Sequence, residues 1–326
     1  MYFLHRSHTD PYFNLAAEEY LLRHGPGDMF MLWWNEPCVV IGKHQNAFAE
    51  INYRYCRDHA IPVIRRISGG GAVYHDPGNL NFSFILTVGN QNQVDFSRFL
   101  VPVTDTLRKL GLNVTTGKRN DLYLEGMKFS GNAEHVFRNK VLHHGTLLFD
   151  TNLNILNNAL TPAGKEFSDK AVRSVRSAVT NIKPFLDNIN DVAQFAEKLA
   201  ITFSDAMPDM QQYELSDEDI CRIGQLADER YHTWKWNFGY SPEYILRVRF
   251  ESGFGHEEMQ IRVKNGQIID IVPVTTHLPD SILQELRSIL TGKSMEEQEI
   301  RLALLNSGRF LQSAGIQVEN LLDSLF

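Results

Sequence analysis

The chain has 326 residues, 43% of them hydrophobic and 22% charged, with a formal net charge of −7, a globular composition long enough for one large core and a smaller second one. No apolar run approaches the ~20 residues of a membrane span, and Met1 to Asp10 lacks the apolar stretch of a secretory leader, so a cytoplasmic protein with no membrane partner is expected. The acidic balance argues against a nucleic-acid surface, and the three cysteines, Cys38, Cys56 and Cys221, show neither metal-type nor disulfide-type spacing.

In chain order, Asp10-Pro11 reads as an N-cap followed by proline at the first helical position, and Phe13, Ala16, Ala17, Tyr20 and Leu21 share one helical face. Short β-rich runs at 29–34 and 38–41 flank an Asn35-Glu36-Pro37 turn. A polar loop with Lys43 and His44 follows, then a helix near 49–60 and a strand at 62–67.

Residues 65–75, Arg-Arg-Ile-Ser-Gly-Gly-Gly-Ala-Val-Tyr-His, are the most informative stretch, because three glycines stand between two strand-like runs. Gly69, Gly70 and Gly71 reach φ > 0 at no steric cost, so successive N–H groups can turn onto an anion such as a phosphate or an acyl-phosphate. A tight turn or bulge explains a glycine triplet alone equally well. The fixed charge of Arg65 and Arg66 tips the reading toward a site.

Leu80, Phe82, Phe84, Leu86 and Val88 alternate with polar residues as in a strand with one polar face, and residues 97–110 have helical spacing with Gly111 as a C-terminal cap. Asp121 to Ser130 reads as a hairpin around Glu125-Gly126. In that register Tyr123 faces Lys128 and Asp121 faces Ser130, so the four share one face while Leu122, Leu124, Met127 and Phe129 fill the other. A surface hairpin with an exposed ion pair is the bland alternative, but Ser130-Gly131-Asn132-Ala133 leaves room beside the lysine for something bound. His143 and His144 are adjacent on a strand and point to opposite faces, so they cannot ligate one metal together; one lines a pocket and the other is structural. His75-Asp76 is either an acid/base pair or, by the turn composition of Asp76-Pro77-Gly78-Asn79, a turn; the turn is preferred for Asp76.

Helices are expected near 153–160 and 192–207, with a surface connection at 205–219. From Tyr244 the pattern changes to alternating runs at 245–250, 259–263 and 268–272 with an Asn265-Gly266 hairpin, then amphipathic helices near 279–291, 295–305 and 308–325. The composition change places a boundary at Asn237 to Pro242.

Arg65-Arg66-x-Ser68-Gly69-Gly70-Gly71-Ala72-Val73-Tyr74-His75-Asp76, Arg119-Asn120-Asp121-Leu122, Lys128-x-Ser130-Gly131-Asn132-Ala133 and His143-His144-Gly145-Thr146-Leu147-Leu148 closely resemble the lipoate-protein ligase A family in order and spacing. Asn14 to Glu19, Val40 to Asn46, Ser174 to Asn181 and Trp236 to Gly239 extend the match over nearly all of the first 240 residues. The resemblance implies a mixed α/β (α+β) fold shared with biotin-protein ligases: a catalytic lipoate/ATP-binding domain, 1–242, and a small C-terminal accessory domain, 243–326, of the kind found in ligases that perform both half-reactions. It implies activation of lipoate by ATP to lipoyl-AMP with release of pyrophosphate, with Mg2+ as companion ion. Transfer to a lysine of lipoyl carrier domains then follows, in 2-oxoacid dehydrogenase E2 subunits and the glycine cleavage H protein.

By the same resemblance, Lys128 contacts the lipoate carboxyl and the α-phosphate. Arg66 with Gly69, Gly70, Gly71, Ala72, Val73 and Tyr74 holds the nucleotide and acyl-phosphate, beside Asp121 and Ser130. Gly71, His75 and His144 join Lys128 on the lipoate side, and Asp121 either holds Lys128 or binds magnesium. Trp33, Val39, Val73 and Phe84 are candidate walls for the lipoate tail, and His75 and His144 are candidate bases for the transfer step. The competing readings are a transferase that uses preformed lipoyl-AMP, an octanoyltransferase working through a cysteine thioester, and a non-catalytic lipoate sensor. Neither Cys38 nor Cys56 lies beside the signature segments, and a lysine at the point of attack is more than capture alone requires.

Overall fold

Long-range contacts sort the chain of this computed structural model, which describes residues 1–5, 8–88 and 95–326, into two units. One comprises Met1–Lys43, Ile61–Leu160 and Ser174–His232; the other comprises His44–Ala60, Thr161–Arg173 and Thr233–Phe326. This discontinuous division differs from a single cut after residue 242. Within the second unit Phe48 and Tyr53 pack their rings, tilted or edge-on, against Phe238 and Phe326, and Glu166–Asp169 pairs antiparallel with Tyr244–Arg247. A composition scan along the chain does not register partners so far apart.

In the first unit the strands run β1 (Tyr2–His5), β2 (Met29–Trp33), β3 (Cys38–Ile41), β4 (Val63–Arg65), β5 (Val73–His75), β6 (Asn79–Thr87), β7 (Thr115–Thr116), β8 (Leu122–Leu124), β9 (Met127–Ser130), β10 (Asn132–Phe137) and β11 (Lys140–Leu148). The main sheet has the order β10-β11-β6-β2-β1, edged by Gln211–Gln212, and two small sheets have the orders β4-β3-β5 and β7-β8-β9. Parallel β1/β2 and antiparallel β2/β6 and β6/β11 pairs make the main sheet mixed.

The alternation in β6 sorts its faces as the pleat requires. Leu80, Phe82, Phe84 and Leu86 enter a core with Phe30, Phe99 and Phe203, while Ser83 turns to the helix Pro11–His24. Phe84 therefore packs among aromatic rings and is no wall of a ligand pocket. The helix starts as read, with Asp10 accepting from the Tyr12 N–H, but it also buries Asn14, Glu18 and Glu19.

The β8/β9 hairpin turns at Glu125 (φ 48°) and Gly126 (φ 77°), both left-handed, as a two-residue turn matched to strand twist demands. Tyr123 lies opposite Lys128, yet Ser130 pairs with Leu122 and not with Asp121, because the register shifts by a bulge in between. The extra residue lets both Phe129 and Ser130 be buried and leaves Met127 37% exposed, outside the core assigned to it from alternation alone.

The second unit is an antiparallel sheet in the order Glu166–Asp169, Tyr244–Ser252, Gly255–Lys264, Gln267–Thr275. Leu286 and Leu290 of helix Asp280–Leu290, Ile300 of Glu297–Asn306 and Leu322 of Val318–Leu325 share its core with Leu246, Val248 and Ile261. The stretch 308–325 is two helices, Gly308–Ser313 and Val318–Leu325, separated at Gly315 with φ 65°. Among the described residues no helix is long and apolar enough to cross a membrane.

Candidate active site

The glycine triplet crosses the end of β3, because β4 and β5 flank that strand on its two sides. The crossing runs directly over Gly42, where a Cβ would stand 2.1 Å from the Gly70 carbonyl oxygen, and Gly70 has φ +88°. Arg66 then sets the shape. Its buried guanidinium donates from Nη2 to Gly69 O at 2.6 Å and Gly71 O at 2.8 Å, from Nη1 to Val40 O at 3.2 Å, and from Nε to Ser68 Oγ at 2.9 Å. In a trans peptide the N–H opposes the carbonyl, so drawing these two carbonyls inward turns the N–H groups of Gly70 and Ala72 away from the guanidinium. Gly70 is exposed there, and Ala72 donates to Ser174 Oγ at 2.9 Å. Burial lowers the Arg66 pKa to about 10, which leaves it cationic at neutral pH. Arg65 faces the other way and donates to the carbonyls of Gly42 and Lys43 at 3.0 and 3.1 Å.

Lys128 is reached through the 174–180 segment. This segment caps Ala72 through Ser174 and also pairs with the lysine backbone: Lys128 N–H donates to Ala178 O at 3.0 Å, and Thr180 N–H donates to Lys128 O at 2.9 Å. The Lys128 ammonium lies 2.8 Å from Asp121 Oδ1 and is 23% exposed at the side chain. Gly131 makes room for it, since a Cβ there would sit 3.3 Å from Nζ. Ala133 approaches the turn as well, 3.7 Å from where Gly70 would carry a Cβ. Ser130 is buried, accepting from Asn132 Nδ2 at 3.3 Å. Ser174 had no role in the sequence reading beyond its place in a matching string.

The two adjacent histidines separate as strand geometry requires. His143 stacks on Phe99 at 4.7 Å, with Nδ1 3.0 Å from Glu134, and burial drives its pKa down to about 3; it belongs to the core. His144 points to the other side, with Nε2 2.6 Å from Ser68 Oγ and Nδ1 2.9 Å from Glu18 Oε1. His75 takes a hydrogen bond on Nδ1 from Asn35 Nδ2 at 3.0 Å, so its proton is on Nε2, which is buried without a protein partner. Burial lowers its pKa to about 3, which makes it a weak base for freeing an amine. Asp76 is no partner to His75. Its carboxylate accepts from the Gly78 and Asn152 N–H groups at 3.0 and 2.8 Å, the turn role.

Trp33 faces the Ser83 layer, Val39 is buried in β3 and Val73 is half-buried beside the turn. Cys38 is buried and burial pushes its thiol pKa up, opposite to what a thioester-forming nucleophile needs. Among the described residues no group of three or more His, Cys, Asp or Glu converges as a cation site, and one oxygen of Asp121 is committed to Lys128. A magnesium ion here would fit as a companion of phosphate oxygens, with the Asp121 carboxylate beside Lys128 to help hold it.

The arrangement gathers negative charge: a held ammonium, an outward peptide N–H and glycines that let a ligand approach the backbone. Residues 10–204 match the family described as the lipoyl protein ligase A/B catalytic domain. The chain is similar to lipoate-protein ligase LplJ of Bacillus subtilis, 36% identical over 296 residues that cover 90% of this chain and 89% of that protein. Among solved structures it is similar to a lipoate-protein ligase A bound with ATP, at 26% identity and a TM-score of 0.62 over 73% of this chain and 98% of the other. A bi-partite lipoate protein ligase from Thermoplasma acidophilum, studied with its E2 lipoyl domain, is similar at 25% identity and a TM-score of 0.62 over 73% of this chain and 96% of the other.

Proposed function

Because the chain belongs to the lipoyl protein ligase A/B family and is an ATP-using lipoate-protein ligase, we propose how its residues divide the work and which acceptors it serves. In the first step a carboxylate oxygen of lipoate attacks the α-phosphorus of ATP, the new acyl–O–P bond forms, and the bond to the β-phosphate breaks to release pyrophosphate. The obstacle is anion approaching anion. Lys128 stands at the meeting point, oriented by Asp121, and relieves that repulsion more effectively than water because it is held in place beforehand. Gly69 to Tyr74 contribute backbone to the nucleotide and acyl-phosphate, in the shape Arg66 gives them. Ser130 supports the strand beside Lys128, and His75 and His144 border the lipoate side.

Magnesium, arriving with the triphosphate and held by phosphate oxygens and Asp121, would screen phosphate charge. In the second step an acceptor lysine, as free amine, attacks the acyl carbon and AMP leaves. We assign lipoyl domains as the acceptor class, and 2-oxoacid dehydrogenase E2 subunits and the glycine cleavage H protein as the specific acceptors. Catalysis belongs to the first unit, which holds every one of these side chains, and the second unit is accessory.

The observation that carries the residue assignment is the Lys128–Asp121 pair, with Lys128 on a strand tied by one segment to the glycine turn. Lipoate-dependent exchange of labelled pyrophosphate into ATP, without acceptor, tests it. Wild-type protein is expected to exchange. Lys128→Ala is expected to lose roughly 100- to 1000-fold in rate while still binding lipoate, the scale of removing one preorganised electrostatic group. Exchange by Lys128→Ala at near wild-type rate would remove Lys128 from the chemistry.

A further inference from the structure

Glu18 lies mid-helix with its carboxylate buried, 1% exposed, and the reaction as described gives it no task. Its neighbour Glu19 is matched by Arg23, Arg230 and Tyr231, the pattern of a carboxylate that anchors structure. Glu18 instead receives Ser83 Oγ at 2.6 Å and His144 Nδ1 at 2.9 Å. Ser83 takes Trp33 Nε1 at 2.9 Å, and on the far side of His144, Ser68 takes Arg66 Nε at 2.9 Å. Five hydrogen bonds thus link Trp33 to Arg66 through one buried carboxylate.

The ends of this chain fix every proton in it. Indole and guanidinium only donate, and a carboxylate only accepts. Ser83, accepting from Trp33, therefore gives its hydrogen to Glu18. Ser68, accepting from Arg66, gives its hydrogen to His144 Nε2, 2.6 Å away. That nitrogen must then carry the lone pair, which puts the ring hydrogen on Nδ1, facing Glu18. With the other tautomer, Nε2–H and the Arg66 N–H would both donate to Ser68, whose own hydrogen would lose its acceptor.

We propose that Glu18 is a positioning residue for acyl activation: through His144 it fixes the Ser68 hydroxyl and, through that, the Arg66 side chain that shapes the glycine turn. The inference rests on the adenylate-forming reading above. A carboxylate buried this deeply is an expensive way to fill space, and what it provides that an apolar side chain would not is the direction of each hydrogen bond leading to the turn.

His144 Nδ1 lies 2.9 and 3.0 Å from the two Glu18 oxygens; Glu18→Gln preserves size and, with its oxygen kept on the Oε1 side by the Ser83 hydroxyl, puts an amide N–H on the other side facing Nδ1, which reverses the direction. In protein labelled with 15N-histidine, the His144 ring hydrogen is expected on Nδ1 in the wild type and on Nε2 in the variant. The exchange kcat is expected to fall about 10- to 100-fold with smaller changes in KM, and in a Ser68→Ala background the same substitution is expected to cost nothing further. A purely structural glutamate would move stability without moving the tautomer. Full-rate exchange by Glu18→Gln, or an equal added loss in the Ser68→Ala background, overturns the inference. The wild-type spectrum needs no variant, and an Nε2–H tautomer there overturns it as well. A wild type without any exchange overturns the adenylation reading beneath it, whereas exchange by the wild type with an indifferent Glu18→Gln overturns this inference alone.

Discussion

At Gly42 one methyl group decides whether the turn above it can close. A Cβ placed 2.1 Å from the Gly70 carbonyl oxygen meets backbone, which has no rotamer to yield. Gly42→Ala is expected to displace the crossing and lower kcat/KM for ATP by about 10- to 100-fold, ~1.4–2.7 kcal/mol of transition-state stabilisation, with a stability cost of about 1–3 kcal/mol. Exchange kinetics and denaturant unfolding measure the two effects. Gly69→Ala is the comparison for stability, because a Cβ there meets nothing within 4 Å; equal destabilisation by both changes would contradict the steric account. Single residues also show what a sequence conceals. Lys128 and Asp121 were readable together because a short hairpin joins them. Glu18 was not, since its partners Ser83 and His144 lie 65 and 126 residues away and a helical glutamate ordinarily reads as solvated. The signal available was its place four residues after Asn14, on a helix whose neighbouring positions are apolar. Arg66 was legible as charge near the glycines, but not as the group that holds their carbonyls.

Elements were legible where one period held over most of the element, as in β6, where Ile85 is the one exception, and in the hairpin of the second unit. They were misread where a single residue broke the period. The bulge between the Leu122 and Tyr123 pairings lies inside a strand too short for its pattern to reveal a slip, so Met127 and Ser130 exchanged environments relative to the alternation. The 174–180 segment escaped for a different reason: it meets Lys128 through backbone groups and an isolated bridge, which no side-chain pattern encodes. The hairpin yields a test of its own. Glu125 occupies the left-handed region at φ 48° and is exposed, a conformation asparagine adopts at lower cost. Glu125→Asn is expected to stabilise the protein by about 0.5–1 kcal/mol, read as a small rise in the thermal midpoint. A fall would mean that the carboxylate has a role in the turn.

For the whole molecule, the division into units argues against trimming the chain at residue 242. A fragment of residues 1–242 keeps Phe48, Tyr53 and Phe238 but loses Phe326, and keeps Phe167 but loses Tyr244. The first unit lies wholly within it and is expected to keep a transition, while the stranded segments 44–60 and 161–173 are expected to bind a hydrophobic dye that the full chain does not. A fragment that binds no more dye than the full chain would instead make residue 242 a true boundary. The aromatic cluster around Phe48 and Phe326 also sets a timetable for biosynthesis. Roughly 280 residues separate the two rings, so at bacterial-to-eukaryotic elongation rates of about 5–20 residues per second the ribosome leaves the Phe326-facing side of Phe48 uncovered for roughly 15–55 s. The second unit therefore opens early in translation and closes only at its far end. Throughout that interval the nascent chain carries an aromatic patch suited to chaperone holding, and a chain cut short before the helix Val318–Leu325 is expected to stay chaperone-bound.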